Sequence, residues 1–155
     1  MHTDNKTISL HPIEERSEEL INILTEIWET SVRATHDFLT EDDICEIREC
    51  VDNALTHIVH LIVAMDENSV PVGFMGVEDG ILEMLFISPT HFKIGIGRKL
   101  VQYGIDNLGI EYVTANEQNP NSIGFYKHLG FKVFRRTERD SEGRPFPLIY
   151  MKFIR

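Results

Sequence analysis

Apolar positions along the chain switch between a period of two and a period near 3.6, as expected of strands and helices following one another. Thr7 to Leu10 alternates as a short strand. From Glu14 to Ala34, residues Leu20, Ile23, Leu24, Ile27 and Trp28 fall at helical spacing and predict a helix with one buried stripe. Thr40-Glu-Asp-Asp43 has the form of a capping box with Asp in place of the usual Glu. It opens a second helix in which Ile44, Ile47, Val51 and Leu55 recur at three- and four-residue steps, with an acidic outer face.

His60 to Met65 and Val72 to Val77, joined by a polar connection, predict an antiparallel hairpin, and Ile81 to Ile87 is the next strand. Gly97 to Asn107 is helical, Tyr112 to Ala115 a strand, and Asn121 to Leu129 helical. Phe131 to Arg139 and Leu148 to Ile154 form a last strand pair across a turn at Asp140 to Pro145. No repeat, low-complexity tract or linker interrupts this order, so a single α/β domain over residues 6–155 is expected.

Composition narrows the class. A chain of 155 residues, 42% hydrophobic and 26% charged, is long enough for one well-buried core. A formal charge of −10 argues against nucleic-acid binding, which needs clustered Lys and Arg, whereas a cationic amine would be attracted. No stretch approaches the roughly 20 apolar residues of a membrane span. Met1 to Lys6 lack the apolar core of a signal peptide, so a cytoplasmic protein is expected. Cys45 and Cys50 would point about 140° apart on their helix and read as reduced thiols. His57 and His60 straddle a change of element without further ligands, so no metal site is assigned.

The densest chemical signal is Ile81 to Leu100, where an apolar strand passes through Ser-Pro and a loop carrying Gly95-Ile-Gly97 into an apolar-periodic helix. Glycines there let backbone approach an anion, and the first helical turn supplies free N–H groups. A pyrophosphate site near residue 95 is therefore expected. The third glycine of a dinucleotide fingerprint is missing, since Leu100 stands there, and Gly97 is not followed by the Lys and hydroxyl of a Walker loop.

Pro89 to Gly97 matches the acyl-CoA loop of the GCN5-related N-acetyltransferase (GNAT) family, and Asn119-Pro-Asn-Ser-Ile-Gly-Phe-Tyr126-Lys-His-Leu-Gly130-Phe131 resembles its second motif. Ala34 to Leu39 and Asn116 to Asn119 look like the bacterial YjaB-type subgroup, regarded as acetyltransferases of peptidyl lysine. The resemblance implies a mixed sheet of about seven strands with four helices. In it the fourth and fifth strands splay at their carboxyl ends to hold the pantetheine arm of acetyl-CoA, the acyl donor.

The resemblance also assigns roles. The thioester carbonyl meets a main-chain N–H near Phe86 and Ile87, and the pyrophosphate lies on the amides of Lys93, Ile94, Gly95, Ile96, Gly97 and Arg98. Phe92 departs from the family, which usually has Arg or Gln at that position. Asn119 would hold the pantetheine amide region and Tyr126 would be the general acid at sulfur. Seven residues separate them, two helical turns, so both are expected on one face of the fourth helix. On the residues alone, Tyr126 also reads as a core aromatic between Phe125 and Phe131, and Asn119 as the N-cap before Pro120.

Glu83, a carboxylate in an otherwise apolar strand, is a candidate base acting through water, or else an acid facing solvent. His36, between the first two helices, is a candidate base or substrate contact. Neither motif holds a nucleophile, so direct attack of a primary amine on the thioester is expected, the acceptor being a protein lysine, a polyamine or another small amine. The rival reading is a non-catalytic acyl-CoA-binding module. The final hairpin, Val133 to Ile154, offers an edge to a second subunit, leaving monomer or homodimer open.

Overall fold

The computed structural model describes residues 7–155; residues 1–6, on which the leader argument and the first residue of the expected domain fall, lie outside the described residues. The first strand, β1 (Ser9–Pro12), is shifted two residues along from the expected Thr7 to Leu10. Helix α1 (Glu18–Thr35) begins at Glu18 rather than Glu14 because the Ser17 hydroxyl accepts from the Leu20 N–H at 3.1 Å and so caps it there. Ile23, assigned to the buried stripe, is 39% exposed, and Ile21 is buried in its place. Helix α2 (Glu41–His57) has the expected reciprocal cap: Asp43 N–H donates to the Thr40 hydroxyl at 3.1 Å, and Thr40 N–H to the Asp43 carboxylate at 3.0 Å.

Strands β2 (His60–Met65), β3 (Pro71–Glu78) and β4 (Ile81–Ile87) follow as a meander. A 3₁₀ turn at Pro89–His91 leads to α3 (Ile96–Asn107), β5 (Tyr112–Asn116), α4 (Pro120–His128), β6 (Phe131–Thr137) and β7 (Leu148–Phe153). The seven strands form one sheet in the order β1-β2-β3-β4-β5-β7-β6. All neighbours are antiparallel except β4 and β5.

Residues from α1 and α2 bury one sheet face around Leu24, Trp28, Leu55 and Phe74, while those from α3 and α4 bury the other around Leu100, Val101, Met75 and Phe131. Cys45 and Cys50 are exposed free thiols on α2. Among the described residues no helix is long and apolar enough to cross a membrane.

Candidate active site

Parallel pairing between β4 and β5 stops after two positions, Ile81 with Tyr112 and Leu82 with Val113. Beyond them β4 stays with β3, β5 stays with β7, and the strands separate. The split opens a cleft of about 700 Å³, within the usual range for ligand sites. Its head is the loop before α3, its floor is β4, and its walls are α4 and the end of α1.

The loop is shaped for an anion. Lys93 and Gly95 have φ of 65° and 89°, the left-handed region, so successive N–H groups turn toward a common concavity. No carbonyl or side chain among the described residues accepts from the amides of residues 93–98, and the first to donate is Lys99, to the Gly95 carbonyl at 3.0 Å. Gly95 offers the helix no side-chain cap, which leaves these donors and the positive end of the α3 dipole for a ligand. Lys93 and Arg98 are exposed and form no ion pair with a described acid. Lys99 turns away and donates to the Ile8 carbonyl at 2.6 Å.

Phe92, Lys93, Gly95, Ile96, Gly97 and Arg98 line the cleft. Ile94 does not: its side chain packs on the core between the sheet and α3. Gly97 lies where a Cβ would come within 3.3 Å of the Phe125 ring, so its lack of a side chain keeps a passage open between α3 and α4.

Strand β4 carries Glu83, Phe86 and Ile87 into the cleft. The Ser88 N–H donates to the Val72 carbonyl at 2.8 Å, so Ser88 faces β3. Antiparallel alternation then gives Phe86 the same orientation and turns the N–H groups of Ile87 and Leu85 toward the gap that β5 has left. The resemblance noted in the sequence implies Phe86 or Ile87; the alternation favours the amide of Ile87. Glu83 sits at a bulge, exposed, and its carboxyl is held above the ordinary value by the surrounding protein and by the Glu78 carboxylate.

Asn119 and Tyr126 both line the cleft, though not from one helical face as expected. Asn119 is the N-cap, outside the helix at φ −118° and ψ 79°, and its amide oxygen accepts from the Ser122 N–H. Tyr126 is 7% exposed and packs edge-on against Phe125 and Phe131, with ring centroids 5.2 and 5.8 Å away. It thus occupies the core position that its neighbours suggest and reaches the cleft as well. Burial alone acts on its hydroxyl, with no hydrogen bond from a described residue, and raises its pKa, keeping the phenol protonated.

His36, the C-cap of α1, closes the far side, its Nε2 3.4 Å from Asn119 Nδ2. Burial lowers its pKa against the opposing field of Asp37, so the ring is neutral near pH 7. Ser31 and Thr114 also line the cleft without any signal in the sequence, and Thr35 and Asn116 line it from within the two short segments that carry the subgroup resemblance. Ser31 and Thr35 lie within α1, where only the docking of α1 beside the split exposes their role. Among the described residues no group of His, Cys, Asp and Glu could hold a metal ion.

A family model described as an acetyltransferase (GNAT) domain matches residues 57–133. The peptidyl-lysine N-acetyltransferase YjaB of Escherichia coli strain K12 is 39% identical over 140 residues, covering 90% of this chain and 92% of that protein. The solution structure of apo YjaB from the same species matches with a TM-score of 0.84 and 37% identity, covering 95% of this chain and 97% of that one. YncA of Salmonella typhimurium, solved with its cofactor acetyl-CoA, shares the fold at a TM-score of 0.63 and 22% identity, covering 94% of this chain and 92% of that one. A split sheet headed by six amides without acceptors among the described residues is thus joined to a relative 39% identical over nine-tenths of the chain, and the protein belongs to the GNAT family of acetyltransferases.

Proposed function

We propose that this acetyltransferase takes its acetyl group from acetyl-CoA and passes it to the side-chain amine of a protein lysine by direct attack on the thioester. The observation that carries the reading is the row of amides at residues 93–98, which have no acceptor among the described residues, at the head of a cleft that ends beside the buried Tyr126 hydroxyl. Bound there, the donor supplies an acyl group already activated by its thiol leaving group.

The chain's own groups do the rest. Amides 93–98, helped by the charges of Lys93 and Arg98, hold the pyrophosphate, and Asn119 sits alongside the pantetheine arm. The Ile87 N–H donates to the thioester oxygen, where negative charge grows during attack. Tyr126 donates to the sulfur. A thiol near pKa 8.5 is a stronger acid than a buried phenol, so full proton transfer from tyrosine is uphill and its hydrogen bond is the stabilising element.

Lysine attacks only as the neutral amine, and at pKa about 10.4 it arrives protonated. Glu83, with its pKa raised toward neutrality, takes that proton through a water molecule. Two exposed cysteines fit a cytoplasmic setting, and the β6 edge, where Val133 and Phe134 are exposed, is the surface through which a homodimer would form.

The test is release of free CoA from acetyl-CoA across a panel of lysine peptides, polyamines and small drug-like amines. Preferential turnover of lysine peptides supports the reading. Turnover confined to small amines moves the acceptor class, and binding of acetyl-CoA without turnover of any amine leaves a non-catalytic binding module.

A further inference from the structure

Three hydrogen bonds run from the start of α4 into the last turn of α1 along the side of the cleft that His36 closes. Asn119 Nδ2 lies 3.4 Å from His36 Nε2, His36 Nδ1 lies 2.7 Å from Thr35 Oγ1, and Thr35 Oγ1 lies 2.8 Å from the Ser31 carbonyl oxygen. Their directions follow from one another. The Asn119 amide oxygen accepts from the Ser122 N–H as the cap of α4, which leaves its nitrogen facing His36, and an amide nitrogen only donates. His36 Nε2 is therefore the acceptor. At the other end a carbonyl only accepts, so Thr35 gives its own hydrogen to Ser31 and has a lone pair for His36 Nδ1–H.

We propose that Thr35 is a positioning residue that fixes His36 as its Nδ1–H tautomer, so that the Nε2 lone pair accepts a hydrogen bond from the acceptor's amine N–H and orients the amine toward the thioester. The inference rests on the amine-acceptor reading above. The tautomer decides the outcome, because an Nε2–H ring would donate to the amine lone pair and so occupy the electrons that must attack. Asn119 is a replaceable occupant of that position: its contact with His36 is long, while the same nitrogen holds Ser122 Oγ at 2.8 Å. Phe38, 5.3 Å from the imidazole centroid, restrains the ring.

Burial keeps the imidazole neutral. Asp37 is the charged group acting on it, and the facing α4 start presents the uncharged Asn119 and Ser122.

Imidazole ¹⁵N spectra of the labelled wild-type protein without donor read the tautomer directly, and Nδ1 is expected to carry the proton at neutral pH. In Thr35→Val the acceptor for Nδ1–H is gone, so the proton should move to Nε2. The KM for a lysine peptide should then rise about tenfold, as for loss of one hydrogen bond, with acetyl-CoA affinity unchanged. Thr35→Ser should restore both readouts. A wild-type ring protonated at Nε2 overturns the proposal, as does a Val variant with unaltered tautomer and KM. If the wild type transfers nothing to the peptide, the lysine reading fails with it, whereas an adverse spectrum alongside normal turnover overturns only the role of Thr35.

Discussion

Leu82 and Met84 stand two residues apart on β4 and are nevertheless buried on opposite faces of the sheet, Leu82 in the α3/α4 core and Met84 in the α1/α2 core. Residues so spaced in a regular strand share a face. The register explains the exception: Val77 pairs with Leu82 and Gly76 with Met84, leaving Glu83 without an opposite number. Glu83 is the extra residue of a β-bulge, which bends the strand and re-aims a side chain at the point where β4 parts from β5.

If Glu83 relays the amine proton, Glu83→Gln should depress kcat/KM most near neutral pH and progressively less in alkaline solution, where the lysine amine loses its proton unaided. Stability should not suffer. A carboxyl whose pKa is raised on folding stabilises the folded state fully below its unfolded pKa, and that contribution is lost as pH rises through the folded value. At neutral pH the Gln variant should thus melt no lower than the wild type. Equal loss of rate at all pH values would assign Glu83 to binding.

For Tyr126→Phe, a fall in kcat on the order of 10²–10⁴-fold is expected, with donor affinity little changed. The folded state should be indifferent, because the hydroxyl is hydrogen-bonded to nothing among the described residues and the ring contacts with Phe125 and Phe131 survive. Wild-type turnover in this variant would return Tyr126 to a packing role.

Acetyl-CoA at about a hundred times its Kd should stabilise the wild type by about 2.7 kcal/mol, and Gly97→Val should abolish that gain. The valine Cβ meets Phe125 at 3.3 Å, and its methyl groups fill the passage at the amide row. Thermal melts with and without donor check this. A folded valine variant with the full shift would remove Gly97 from the site.

At the start of α2, Thr40→Ala breaks the capping box and should cost about 1 kcal/mol. For a chain of this size that lowers Tm by roughly 2–4 °C. Donor binding should be unchanged.

Legibility from sequence followed the range of the interactions concerned. The strands at His60–Met65 and Ile81–Ile87 and the Thr40 cap rest on local chemistry and were read at their observed bounds. The Ser17 cap was missed because Glu14 and Glu15 extend the polar side of the helical pattern without a break. Ile94 sits inside the glycine-loop motif, yet its apolar side chain is drawn into the core while its N–H is left without an acceptor among the described residues. The bulge at Glu83 was hidden, since an apolar run gives no alternation whose interruption would betray it. The bond between His36 and Asn119 joins residues 83 positions apart and depends on how α1 docks, which no local pattern encodes.

Donor binding on amides 93–98 with the thioester beside Ile87 is read residue by residue in ¹⁵N amide spectra recorded during titration with acetyl-CoA. The amides of residues 93–98 and of Ile87 should move together and saturate at one equivalent, while those of β6 and α2 stay in place. Saturable binding that leaves the 93–98 amides unmoved would contradict this placement of the donor.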